Sequence, residues 1–448
     1  MAETGHGGTA APDTASDTRL ARNVGAVLLF FFIVGDTLGA GIYTLVGTMA
    51  EDVGGMLWLP LVIALVVALL TAGTYAEMIS KYPHAGGAAR YAERAFRTPF
   101  LTFILGFFML SSGIVTAALL ANAFSGDYFT TLVDLPAVPV TVVFLLLLTA
   151  INLRGVRESL AANTVATIIE TSGLVLVIAV AAIVFGGGGG DASRILTPSP
   201  DQPILAGAFA ASVVAFFSFL GFEAAANMAE EVKQPSRAYP RALFGAVCTA
   251  GLVYLLIALG SAIVVDPAVM AQSTGPLLEV ITASGLAIPG WVFSLIALVA
   301  IANGALLFMV MASRATYGLA EVGLLPSVFG RVASGRRTPW VAILAVGAAT
   351  IGMSFVGTIS TLADTTVLLL LFVFISTNVS CLVLKKDRVP HEHFRVPAVV
   401  PVLAIVASIV LLTQQSPEIW LLGAGFVVVG TILFLVALAG RRRASTSP

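Results

Sequence analysis

The sequence predicts an all-α integral membrane protein of twelve transmembrane helices. Ten of them form a five-plus-five inverted repeat in which helices 1 and 6 are discontinuous. Three observations predict this. The 448 residues are 58% hydrophobic and only 10% charged, where a soluble chain carries about 25% charged residues, and the mean hydropathy is +1.00. The apolar residues collect into runs near the ~20 residues that a spanning helix needs. The first and sixth runs are interrupted midway by glycine and acidic residues.

Taken in order, residues 1–20 are polar and rich in Gly, Ala and Thr, and are expected to be a disordered cytoplasmic tail. The apolar run behind them is too long for a signal-peptide core, so no cleaved leader is expected. The first repeat occupies 21–185, with runs at roughly 24–48, 58–79, 99–124, 136–153 and 160–185. Between its second and third runs, the basic stretch KYPHAGGAARYAERAF reads as a short interfacial helix. GGGGGDASR (186–194) opens a flexible extracytoplasmic loop, 186–203. The second repeat, 204–396, has runs at roughly 204–229, 242–265, 289–318, 339–357 and 360–384. Runs at 397–413 and 418–440 read as accessory helices, and 441–448 as a basic cytoplasmic tail.

Charge fixes the orientation. With residue 1 inside, an even number of crossings returns the C-terminus to the same side. Arg194 is then the one basic residue outside, of 23 in all. Such an asymmetry follows the positive-inside rule and places a multi-pass protein in the cytoplasmic membrane with both termini cytoplasmic. Trp58, Trp291, Trp340 and Trp420 all fall at run ends, where interfacial anchors belong. Cys248 and Cys381 sit near inner ends of runs, where a disulfide is not expected.

The first break is VGDTLGAGIY (34–43). Asp36 lies about 12 residues into its run, near the bilayer midplane at ~1.5 Å per residue. Glycine costs ~1 kcal/mol relative to alanine in a helix, and a charge at that depth costs more. The second break is FFSFLGFEAAAN (216–227). Two glycine-interrupted helices in matching positions of an inverted repeat point to a transporter's substrate site. Unwound backbone in lipid must line a cavity or bind something. The N–H groups at 39–42 open the second half-helix, and with its positive dipole end they suit a carboxylate. Carbonyls at Thr37 and near Phe217, Ser218 and Leu220 suit an ammonium. The two together describe an amino acid, and Gly39 and Gly41 leave its path to the backbone clear. The alternative is close helix packing through Gly35 and Gly39, which leaves Asp36 unexplained.

VGDTLGAGIY resembles the first span of the amino acid–polyamine–organocation permeases. FFSFLGFEAAANMAEEVKQPSRAYPRAL (216–243) is similar to the same family's span 6 and following inner loop. INLRGVRES (151–159) and ASRATYGLAEVGLLP (312–326) are further matches. The resemblance covers residues ~20 to 395. It implies a fold of the leucine-transporter type and secondary transport of amino acids or related amines, often proton-coupled or by exchange. It implies that Gly39, Ala40, Gly41 and Ile42 hold the substrate carboxylate and that Phe217 covers the substrate. It leaves monomer and homodimer both open.

Asp36, Glu170 and Glu223 are the acids well inside runs, and intramembrane acids mark ion or substrate pathways. Glu77 and Asp364 lie near run ends, where solvated or capping roles are expected. Many members of the resembled family carry a lysine at the place of Glu170, so glutamate inverts the charge there. Glu170 is then a proton site, a cation site or a negative wall that favours cationic substrates; the alternative is a protonated acid bonded to a neighbouring helix. Asp36 would face the substrate amine or side chain. Glu223 matches an acid that recurs below the break in the family, and it is either a proton-release group or a polar helix contact. All four histidines lie in the tail or inner loops, which excludes a histidine proton relay in the membrane.

None of the four lysines follows a glycine, so no phosphate-binding G-x-x-x-x-G-K-[ST] loop exists for a nucleotide-driven pump. No loop is long enough for a catalytic domain, and the charges are too few and scattered for a channel. A non-transporting amino acid receptor is the competing class. The expectation is a carrier of amino acids, with a lean toward arginine, lysine or ornithine; a neutral amino acid or polyamine is the alternative. Protons and the lipid bilayer are the expected partners, and no cofactor, metal or nucleic acid is expected.

Overall fold

The computed structural model describes residues 24–84, 86–155, 159–200, 202–333 and 338–445. The tail at 1–20 and part of INLRGVRES lie outside the described residues. All its regular elements are helices: α1 (Ala26–Thr37), α2 (Gly41–Val53), α3 (Trp58–Lys81), α4 (Gly87–Phe96), α5 (Pro99–Phe124), α6 (Asp127–Thr130), α7 (Ala137–Arg154), α8 (Ser159–Gly186), α9 (Ile204–Ser218), α10 (Pro235–Val264), α11 (Pro267–Gln272), α12 (Pro276–Ala283), α13 (Gly290–Glu321), α14 (Trp340–Met353), α15 (Ile359–Leu384), α16 (Val399–Thr413) and α17 (Pro417–Ser445). Among the described residues, eight helices are long and apolar enough to cross a membrane. The pair α1–α2, bent by 47° at its break, gives a ninth if it is counted as one span, and α9, α14 and α16 are shorter apolar helices.

Helix starts follow local chemistry. Pro99, Pro235 and Pro267 occupy first-turn positions, where a missing N–H costs nothing. The Thr358 side chain accepts from the Thr361 N–H at the start of α15, and Asp266 does the same for Ala268 at α11. Large apolar side chains lie exposed along the outer helices, such as Leu146 and Leu147 on α7, Ile168 and Val175 on α8, and Leu421 and Val428 on α17. That inside-out pattern suits hydrocarbon rather than water. The centre is α5, whose apolar stretch is 94% buried, packed between α13 and α15.

The long helices define two faces. The end of α3 at Lys81 and Tyr82 meets Leu384 and Asp387 after α15. On this basic face α4 buries Ala88, Tyr91 and Ala92 and exposes Arg90 and Glu93, as an interfacial helix does. Trp58, at the other end of α3, donates to the Ile195 carbonyl at 2.9 Å. The loop at 186–203 is less free than its glycines predict. The Asp191 N–H bonds Ile263 of α10 at 2.8 Å, and Gly55 bonds Thr197 at 3.0 Å. Residues 192–196 form a 3-10 turn capped by Asp191.

Glu77 is neither solvated nor a cap. It is 2% exposed and ion-paired with Lys385 at 2.6 Å, and it also accepts the Val396 N–H at 2.8 Å. Burial makes the pair necessary, because an unpaired carboxylate there would cost several kcal/mol. Asp364 is half-buried, and Thr358 takes the capping role at α15. On the basic face, Val24 forms a parallel bridge with Val232: its N–H donates to Glu231 at 3.0 Å and its carbonyl accepts from Lys233 at 2.8 Å.

Candidate functional site

The two breaks lie against each other. α1 ends at Thr37, and α2 begins at Gly41 with no side chain capping its first turn. α9 ends at Ser218, and a 3-10 helix, Phe222–Met228, resumes beyond Gly221. Gly221 has φ +122°, a backbone region that L side chains rarely adopt. A β-carbon there would sit 2.8 Å from the Asp36 carbonyl oxygen and 3.3 Å from its Oδ2. In return, a β-carbon on Gly41 would meet the Phe217 ring at 3.3 Å and the Ser218 α-carbon at 3.4 Å. Each break therefore uses a glycine to admit the backbone or ring of the other.

A β-carbon on Gly39 would meet only the Asp36 carbonyl, at an ordinary 3.4 Å, whereas one on Gly35 would meet the Thr167 side chain of α8 at 3.0 Å. Helix packing explains Gly35 but does not explain Gly39. Ala40 and Ile42 are buried, and the Ala40 methyl faces Gly304 of α13. The Thr44 hydroxyl closes the first turn of α2 by donating to the carbonyls of Ala40 and Gly41. The N–H groups of that turn face a helix start without a side-chain acceptor, which is the condition for an anion site.

The carbonyls at the ends of α1 and α9 share a donor that sequence reasoning missed. The hydroxyl of buried Tyr254, on α10, donates to the Thr37 carbonyl and, at 2.8 Å, to the Ser218 carbonyl. A hydroxyl has one proton, so the two acceptors divide it, and each retains lone-pair capacity for a second donor. The Phe217 carbonyl accepts from Leu220 at 3.1 Å, which leaves it less free than a bare break predicts. A tyrosine within the apolar stretch GLVYLLIALG was the available signal, since a buried phenol needs a partner.

Asp36, Glu170 and Glu223 converge here. Glu223 Oε2 accepts the Gly221 N–H at 2.9 Å, so this acid caps the second break. Asp36 lies within electrostatic reach of Glu223, and Glu170 within reach of Asp36 and Tyr254. Glu170 is 3% exposed, and α8 is held to α2 by Tyr43, whose hydroxyl donates to the Glu170 carbonyl at 2.6 Å. Among the described residues, Glu170 Oε1, Thr37 Oγ1 and Ser218 Oγ are buried without a hydrogen-bond partner. Buried polar atoms are nearly always satisfied; of the fourteen such unpartnered atoms among the described residues, those of Thr37 and Ser218 stand where α1 and α9 end. On the basic side, the rings of Tyr75, Phe222 and Phe374 pack at 5.8–5.9 Å centroid spacing beneath the break.

The profile described as amino acid permease matches residues 25–440. The chain is 30% identical over 72% of its length to the chloroplastic cationic amino acid transporter 9 of Arabidopsis thaliana, whose own length is covered to 59%. It is 25% identical to the branched-chain amino acid permease BcaP of Bacillus subtilis, with 94% of both chains covered. A methylthioribose transporter of Bacillus subtilis is 26% identical over 93% of both. The chain belongs to the amino acid permease family of the amino acid–polyamine–organocation superfamily, a family of transporters rather than enzymes.

Proposed function

We propose that this amino acid permease is a secondary active transporter that moves cationic amino acids, such as arginine, lysine or ornithine, across the cytoplasmic membrane by alternating access. The observation that carries the substrate class is the convergence of Asp36, Glu170 and Glu223 on the two breaks. The span carries no lysine, arginine or histidine beside Asp36 or Glu170 to balance them. The substrate carboxylate rests on the N–H groups between Gly39 and Ile42, and its ammonium takes the spare lone pairs at Thr37 and Ser218. Phe217 and Leu220 bound the site, and the cationic side chain reaches Glu170 or Asp36. Protons or a second substrate occupy the same acids on the return step, giving coupling or exchange.

The framework of this reading is twelve spans, with the bent pair as one and the three shorter apolar helices included. Spans 1–5 and 6–10 form the inverted repeat. In this reading α1 starts and α17 ends on the basic face, which is cytoplasmic under the positive-inside rule.

A second reading is a neutral amino acid carrier whose acids serve protons alone. The end-to-end likeness to the branched-chain permease supports it. Purified protein in sealed liposomes, loaded with arginine or leucine and assayed for counterflow of labelled substrate at two external pH values, separates the readings. Arginine counterflow is expected. Failure of cationic amino acids to compete or exchange overturns the cationic reading, and binding without counterflow assigns the chain to the receptors.

A further inference from the structure

On the basic face a cleft of about 470 Å³ opens where α15 ends, lined by Lys385, Lys386, Asp387, Arg388, Val389 and Arg395. Its one carboxylate is already engaged: Asp387 accepts from the Tyr82 hydroxyl at 2.6 Å and from Arg94 at 2.9 Å. Lys385 is likewise taken by Glu77. Among the described residues, Lys386, Arg388 and Arg395 have no carboxylate partner. The cleft therefore presents three cations and no free acid.

These cations stand on a fastened loop. Val396 is tied to Glu77, the Phe394 N–H donates to Ser80 Oγ at 3.1 Å, and His391 meets the Ser80 carbonyl at 3.3 Å. The cleft also sits at a boundary. Val383 is three residues before Lys386, and Val399 is four residues after Arg395. Together with Val402 and Leu403 they are 45–55% exposed on helices that face hydrocarbon. A guest that uses both surfaces has an anionic head and apolar chains.

We infer that this cleft binds the phosphate of an anionic phospholipid in the leaflet on the basic face, with its acyl chains along the exposed ends of α15 and α16. Basic pockets beside transmembrane helices recognise such head groups through charge. A free phosphate would satisfy the cations but leave the apolar ledge unused. The inference rests on charge and exposed surface, and it is independent of which substrate the carrier moves.

The test titrates the purified full-length chain in detergent with phosphatidylglycerol, phosphatidylcholine or inorganic phosphate, and counts bound lipid by native mass spectrometry. Phosphatidylglycerol is expected to bind more tightly than phosphatidylcholine. Removing three charges in Lys386→Gln/Arg388→Gln/Arg395→Gln should weaken it by on the order of 100-fold. Arg388→Lys/Arg395→Lys should retain binding, which separates lost charge from lost folding. Arg154→Gln/Arg314→Gln/Arg331→Gln, basic residues that do not line the cleft, should also retain it. Wild-type affinity in the first variant, or equal loss in the last, would overturn the inference. Displacement of the lipid by equimolar inorganic phosphate would overturn it in favour of a soluble anion.

Discussion

The backbone carbonyl of Asp36 lies where a side chain on Gly221 would have to go, 2.8 Å from the position of its β-carbon. Gly221 also holds φ +122°. Gly221→Ala combines a strained backbone, of about 1–3 kcal/mol, with a clash against main chain that cannot rotate away. Transport should fall more than about tenfold, with a lower melting temperature. Gly41→Ala meets a phenylalanine ring that can give a few tenths of an ångström, so its effect should be the milder. Equal uptake by the two variants in proteoliposomes would contradict this ranking.

Tyr254→Phe keeps the ring that packs on Phe219 at 5.3 Å and removes only the hydroxyl between the two carbonyls. A lost hydrogen bond with a buried acceptor costs about 1–3 kcal/mol. The apparent KM should rise about tenfold, with little change in melting temperature. A large drop in stability at unchanged KM would assign the tyrosine to scaffolding.

Glu170→Gln and Asp36→Asn remove charge while keeping shape. Charge-assisted hydrogen bonds contribute about 1.5–3 kcal/mol, so arginine counterflow should weaken about 10–100-fold relative to leucine in at least one of the two. Selectivity unchanged in both, with transport intact, would mean the cluster does not read substrate charge.

Breaking the buried Glu77–Lys385 pair leaves an uncompensated charge at a cost of about 3–5 kcal/mol. Lys385→Met should lower the melting temperature measurably, and Glu77→Gln/Lys385→Met should recover part of the loss. If the double variant is no better than the single one, the pair is not the source of the effect.

Asp387 gives a pH dependence outside the membrane. Hydrogen bonding from Tyr82, then from Arg94, holds its carboxyl below the usual carboxylate range. A group depressed on folding stabilises above its unfolded pKa, about 3.9, and loses that contribution as pH falls through the folded value. Wild type should therefore melt above Asp387→Asn by a constant margin from pH 5 to 8, and the margin should shrink below about pH 4. A margin that grew toward acid would reverse the sign.

Sequence reasoning reached the two breaks because glycine and charge are costly in lipid, so VGDTLGAGIY and FFSFLGFEAAAN stand out from any apolar background. Asp36, Glu170 and Glu223 were legible for the same reason. What escaped was partnership across the chain. Glu77 finds Lys385 across 308 residues, and no periodicity within either helix names the other. Tyr254 sits in a stretch that reads as plain hydrocarbon, and only folding shows which carbonyls its hydroxyl reaches. Gly221 was visible as a glycine, but its left-handed backbone and its neighbour Asp36 were not. The loop at 186–203 looked slack from its glycines, yet Asp191 and Thr197 are anchored by main-chain bonds that composition does not encode.

The Val24–Val232 bridge has a mechanical consequence. It couples the start of span 1 to the exit of span 6 through two main-chain bonds, which an ordinary side-chain exchange at either position leaves in place. Under the alternating access proposed above, the two segments would swing as one leaf on the basic face rather than as two. Loosening the coupling takes an imino acid: Val24→Pro would delete the bond to Glu231 and leave the Lys233 N–H to hold the Val24 carbonyl alone.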